Sequence, residues 1–197
     1  MLLIFMGTSA WANTVDFSDS NGGCVAPRVF GGPGSFTDQG LTFSTSAGYM
    51  YTVDGSQAGC GAGANNGTNF LIDGYGTNSG FGTTTITEAG SNPFNLQQLD
   101  LGVSYFASSP QTITIEGFVH GGGVLTDTVT IDNIAFSTIV LGWSNLDSVL
   151  VPAGTDGYTA IDNVVYNTAA PEPTSFALLG VGLAGLGLLR RRLSRTV

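Results

Sequence analysis

Residues 112–131 read TITIEGFVHGGGVLTDTVTI, and this stretch decides the fold class. Ile113, Ile115 and Val119 alternate with Thr112, Thr114, Glu116 and Phe118. Leu125, Val129 and Ile131 then alternate with Thr126, Thr128 and Thr130. A period of two places apolar side chains on one face of an extended strand and polar ones on the other. His120-Gly121-Gly122-Gly123 joins the two runs as a hairpin connection.

The same alternation extends in both directions. Leu99, Leu101, Val103 and Tyr105 face one way, with Asp100, Gly102 and Ser104 opposite. Residues 134–141 and 146–151 read as two further strands, and 159–166 as the last. Upstream, strands are expected at 13–17, 41–44, 49–53, 69–72 and 83–87. No stretch of 13–170 holds a helical apolar period. Short strands with glycine turns predict an antiparallel β-sandwich. Residues 20–90 carry seventeen of the thirty glycines, so 31–34 and 55–67 read as long loops on one edge of it.

Charge separates the chain into parts. Residues 13–170 carry thirteen acids and one base, Arg28, and the chain has no lysine. A surface so acidic repels phosphate backbones, which excludes nucleic-acid binding. One histidine excludes a histidine-rich metal site. Residues 1–12, MLLIFMGTSAWA, read as the remnant of a signal peptide ending in the small-x-small site Ala10-Trp11-Ala12. Residues 13–170 form the exported domain.

The tail, 171–197, has three parts in order. Pro171-Glu172-Pro173 is followed by an uncharged, mostly apolar run at 174–189 and then by Arg190, Arg191, Arg192 and Arg195. Sixteen helical residues span about 24 Å, and snorkelling arginines make up the rest of a bilayer core. A transmembrane helix is therefore expected at 174–189, with the arginines cytoplasmic and the acidic domain outside.

The tail resembles the PEP-CTERM sorting signal of Gram-negative bacteria. The resemblance implies recognition by an exosortase, a membrane protease, with cleavage near Pro171-Glu172-Pro173 and transfer to the cell surface. The domain is similar to jelly-roll, carbohydrate-binding-like modules at 15–17, 94–105, 113–123 and 160–165. In such modules the closing Asp-Asn segment supplies a calcium ligand. The resemblance therefore implies a structural Ca²⁺ at Asp162, with Asp16 or Asp19 as its partner. Residue 162 is also where the last strand's alternation breaks, so the alternative is a bulge whose backbone N–H groups it accepts.

Cys24 and Cys60 suggest a disulfide across the glycine-rich half, since an exported chain with two cysteines has the means to form one. Two free thiols are the alternative. Trp143 and Tyr158, beside Gly142 and Gly157, are the first candidates for rings that stack on a sugar. The charge argument makes that partner a neutral polysaccharide. No esterase, zinc-protease or phosphate-loop motif occurs, and His120 reads as a solvated turn residue. Asn66-Gly67-Thr68 has the form of a glycosylation sequon, which means little in a bacterial protein. The expectation is thus a non-enzymatic surface or matrix protein that binds polysaccharide. A purely structural or adhesive domain and a glycan-active enzyme stand as the alternatives.

Overall fold

The computed structural model describes residues 12–18, 35–46, 50–56, 63–73, 82–104 and 110–168. All of them belong to a unit spanning Trp11–Ala169; a second unit, Met1–Ala10 with Ala170–Val197, lies outside the described residues. Eleven strands run in chain order: β1 Asn13–Val15, β2 Ser35–Asp38, β3 Leu41–Thr45, β4 Met50–Asp54, β5 Asn69–Asp73 and β6 Thr83–Glu88, followed by β7 Phe94–Ser104, β8 Gln111–Val119, β9 Val124–Ile131, β10 Ser137–Pro152 and β11 Tyr158–Thr168. Every pairing is antiparallel, and no helix occurs among the described residues.

The hydrogen-bonded path runs β2-β3-β6-β10-β7-β11-β5-β4. Its middle strands change partners along their length. β10 pairs with β7 over Ser137–Leu146 and with β6 over Val149–Pro152, while β8 lies along its other edge from Leu146 to Leu150. β11 pairs with β7 throughout, with β5 at Ala160–Ile161 and with β1 at Val164–Tyr166. One buried cluster contains Leu41, Phe43 and Ile86 from one end of the path and Met50 and Leu71 from the other. Strands so far apart along the ladder share a core only if the sheet folds over into two layers, which is a β-sandwich. Leu99, Leu101 and Val103 of β7 and Ile113 and Ile115 of β8 point into this core, as their alternation requires. Each such side chain contributes about 1.5–3 kcal/mol by leaving water. Phe17 and Phe43 meet edge to face, with ring centroids 5.3 Å apart.

A second apolar cluster covers the outer face of one layer. Tyr51, Val53, Phe70, Ile72, Tyr158 and Ala160 gather there under Phe136. Ala64 N–H donates to Val103 O at 2.9 Å, and the Ala64 methyl occupies the space a side chain at Gly102 would need. Gly102 is therefore a contact glycine, set by close packing.

Two expectations change. Residues 134–141 and 146–151 are not two strands. β10 is continuous from 137 to 152, because Gly142 (φ 61°) and Asn145 (φ 58°) absorb two register shifts in place of a break. Ile134 precedes it in a turn and is 81% exposed. Residues 35–38 form a strand that the sequence reading passed over. It turns back onto β3 through Gln39 (φ 43°) and Gly40 (φ 88°), two successive left-handed residues of the kind that close a two-residue hairpin. The triglycine hairpin between β8 and β9 forms as read, with Gly121, Gly122 and Gly123 all at positive φ.

Candidate functional site

The site is a row of polar residues on the face of β7 and β11 away from the main core. Asp162 of β11 stands directly across from Asp100 of β7, and Asp100 directly across from Thr138 of β10. Two carboxylates in facing positions repel each other. The surrounding donors offset that repulsion. Thr138 Oγ1 donates to Asp100 Oδ1 at 2.6 Å, and Asn163 Nδ2 to Asp100 Oδ2 at 2.8 Å. Asn66 Nδ2 donates to Asp162 Oδ2 at 2.7 Å, with Thr68 Oγ1 2.8 Å from the same oxygen. Asn163 N–H donates to Asp162 Oδ1 at 2.7 Å.

Local chain geometry builds this arrangement. Asn163 has φ 46° at the register shift between Asp162 and Val165, so the bulge aims its amide at Asp100. The break in alternation at Asp162 is this bulge. Residues 65–68 fold on themselves: Asn65 Oδ1 accepts Gly67 N–H, Asn66 Oδ1 accepts Thr68 N–H, and Gly67 takes φ 83°. Such side-chain-to-backbone turns are what Asn-rich loops form. This one presents Asn66 and Thr68 to a strand nearly a hundred residues later. The tripeptide that reads as a sequon is therefore half of the site.

The electrostatics are one-sided. Among the described residues there is no lysine or arginine. Burial raises the pKa of Asp162, the Asn66 and Thr68 hydrogen bonds pull it down, and the nearby Asp100 charge raises it again; the net shift is upward. The Thr68 hydroxyl also lies 2.7 Å from Asn66 Oδ1. It has one proton for two acceptors. The row offers oxygen acceptors to a cation or a hydroxyl group.

The other expected residues lie elsewhere. The Asp16 carboxylate accepts Ser18 N–H, the Ser18 hydroxyl and Gln39 Nε2, and these bonds, led by the Ser18 hydroxyl, hold its pKa below the usual range. Among the described residues it shares no hydrogen-bond partner with Asp162. Asp19 lies outside the described residues, and no group of three His, Cys, Asp or Glu able to hold a metal occurs among those described. Asp162 is bonded instead by Asn66, Thr68 and the Asn163 N–H.

Tyr158 is 6% exposed and packs in the second cluster, so its ring has no free face for a sugar; the expectation of an exposed ring there is corrected. Trp143 is half-buried, seated on Gly117 at the edge of the main core. His120 is paired, not merely solvated: its Nδ1 lies 2.8 Å from Asp147 Oδ1 on an exposed corner. Cys24, Cys60, Pro171, Glu172, Pro173, Arg190, Arg191 and Arg192 lie outside the described residues, as does the expected helix at 174–189. Among the described residues no helix is long and apolar enough to cross a membrane.

A second buried acid escaped the sequence reading. Asp73, at the end of β5, is fully buried, and its Oδ1 accepts Thr159 N–H at 3.0 Å. Among the described residues its Oδ2 meets no full hydrogen-bond geometry, though the Gly82 backbone N–H lies near enough to the carboxylate to lower its pKa slightly. Burial pushes its pKa well above the usual carboxylate range. Nothing in the local pattern Phe70-Leu71-Ile72-Asp73 marks it, because its burial comes from elements distant in sequence.

Comparison with known proteins bears on the tail. Residues 169–192 match the PEP-CTERM protein-sorting motif. No curated protein matches the chain in sequence. Among solved structures, the enzymatically active domain of bacteriophage CBA120 tailspike protein 4 aligns with 66% of this chain at 14% identity and a TM-score of 0.35. The CBM22-1 and GH10 modules of Clostridium thermocellum endo-1,4-beta-D-xylanase 10B, complexed with xylohexaose, align with 80% at 10% identity and a TM-score of 0.35. The aligned part spans 20% and 28% of those chains respectively, and neither match reaches the similarity that implies a shared fold. The described residues are all-β, and the chain carries a PEP-CTERM sorting motif, which implies export and processing by an exosortase.

Proposed function

We propose that this is a non-enzymatic surface or matrix protein. Its jelly-roll-like sandwich is displayed outside the cell after a C-terminal helix at 174–189 has held it in the membrane for sorting. The observation that carries the reading is the sorting motif at 169–192 directly behind an acidic β-domain. With no lysine and one arginine in the domain, a neutral glycan, or one bridged by Ca²⁺, is the ligand that charge allows. Trp143, half-buried at the edge of the core, supplies the ring.

The test is a glycan array in calcium and in chelator. Binding to a neutral polysaccharide that weakens about five- to thirtyfold in Trp143→Ala supports the reading, taking about 1–2 kcal/mol for one stacked ring by analogy with base stacking. Tight calcium-free binding to an acidic polysaccharide contradicts it. The second reading, an adhesive domain without a glycan ligand, is favoured by the exposed apolar strand described next.

A further inference from the structure

The large exposed apolar side chains of the described residues fall in one short segment: Val124 (54% exposed), Leu125 (36%), Ile134 (81%) and Val140 (73%). Val124 and Leu125 lie on β9, which pairs only with β8. Seven of its eight residues, Val124 to Thr130, thus border solvent along one edge. Edges of this length are normally protected by lysine, proline or a bulge. β9 has no lysine and no proline, its register against β8 is unbroken, and its one charge is Asp127.

The direction of the free backbone groups follows from the hairpin. Val119 N–H donates to Gly123 O, and Gly122 N–H to Val119 O. Val119 therefore turns its backbone toward β9. Both groups of one residue in an antiparallel ladder point the same way, and the direction alternates along the strand. Gly117 faces Leu125, Ile115 faces Asp127 and Ile113 faces Val129, so these residues exchange the ladder bonds. Thr126, Thr128 and Thr130 then direct their N–H and C=O groups outward, unpaired.

We infer that β9 pairs antiparallel with β9 of a second copy of this chain, about a two-fold axis at Thr128. The register is constrained. Facing residues must point to the same side of a continuous sheet, so an axis passes through a residue, not between two. An axis at Asp127 sets two carboxylates face to face. The axis at Thr128 sets Asp127 against Val129 of the partner and matches Thr126 with Thr130. These are the residues with free backbone groups. It also extends the threonine row that already links Thr114 to Thr128 and Thr112 to Thr130 within the hairpin, at 3.0 and 3.4 Å. The sorting motif delivers every copy to one place, which raises their local concentration. Because the domains are acidic, added salt should strengthen the pairing by screening their repulsion. The inference does not depend on glycan binding.

The experiment uses the full chain in mild detergent. Facing residues in a bonded pair have Cα atoms about 5.5 Å apart, within disulfide range. Thr128→Cys under mild oxidant should give a covalent dimer several-fold above the level in the unaltered chain. Thr112→Cys, on the same face but on the inner strand β8, should not. Thr128→Pro removes an outward N–H without touching the β8 ladder, so it should leave the fold intact by circular dichroism and raise the dimer dissociation constant at least tenfold. Equal cross-linking at positions 112 and 128, or a Thr128→Pro chain that associates as before in light scattering, overturns the inference.

Discussion

At the scale of single residues, two buried acids carry the strongest expectations. Asp73 is raised well above the ordinary carboxylate range in the folded state. Between that ordinary range and its own pKa, the folded chain holds a proton that the unfolded chain has lost. The stability this confers is full at low pH and lost as pH rises through the folded pKa. Asp73→Asn keeps an oxygen for Thr159 N–H and removes the titration. It should raise the neutral-pH melting temperature and flatten the decline in stability above the usual carboxylate pKa; melting curves from pH 3 to 8 check this. An unchanged pH profile would show that Asp73 titrates normally. At Asp162, replacement by alanine strands Asn66 and Asn163 and should cost about 1–3 kcal/mol in chemical denaturation. Asp162→Asn should cost less, because it also ends the opposition to Asp100. If added calcium raises the melting temperature and Asp162→Ala cancels the rise, a metal does sit on this row.

At the scale of elements, glycines and bulges hold the expectations. Gly142 lies at φ 61° with open space where a side chain would stand. Gly142→Val should therefore cost only the backbone penalty, about 1–2 kcal/mol, and Gly142→Asn less. Gly117 differs in kind. A methyl there would approach Trp143 Cε3 to 2.6 Å and Leu146 Cδ2 to 3.1 Å. Gly117→Ala should destabilise by about 1–3 kcal/mol as overpacking and shift the Trp143 fluorescence. If both changes cost the same and the fluorescence stays put, the distinction between a conformational and a contact glycine fails. These elements also show what the sequence can reveal. Strands such as 113–119 and 125–131 were legible because two-residue alternation is a local signal. The continuity of β10 was not, since Gly142 and Asn145 mark an ordinary break unless a partner strand is known to continue past them. β2 went unread because its hairpin closes through Gln-Gly, not the usual Asn-Gly. At the site, Asp162 was legible from its broken alternation, but its partners were not. Asp100 fits an ordinary polar strand position, and Asn66 and Thr68 reach the row through a loop whose docking depends on tertiary packing. Tyr158 sits beside a glycine turn in sequence yet is buried by strands from the other half of the chain.

At the scale of the whole molecule, one core joins strands from both ends of the chain. Phe43→Ala, far in sequence from the C-terminal strands it packs with, should cost about 3–5 kcal/mol and lower stability in one cooperative transition. The central claim concerns the tail. If the motif at 169–192 is a working sorting signal, then in cells with an active exosortase the chain should lose its segment beyond Pro171-Glu172-Pro173 and leave the inner membrane. In cells lacking that protease it should keep the segment and stay there. The most direct measurement is the intact mass and C-terminal peptide of the protein from both strains, read alongside membrane fractionation. The account predicts a shortened, released species only where the exosortase is present. A full-length C-terminus in both strains, with the same fractionation, would contradict it.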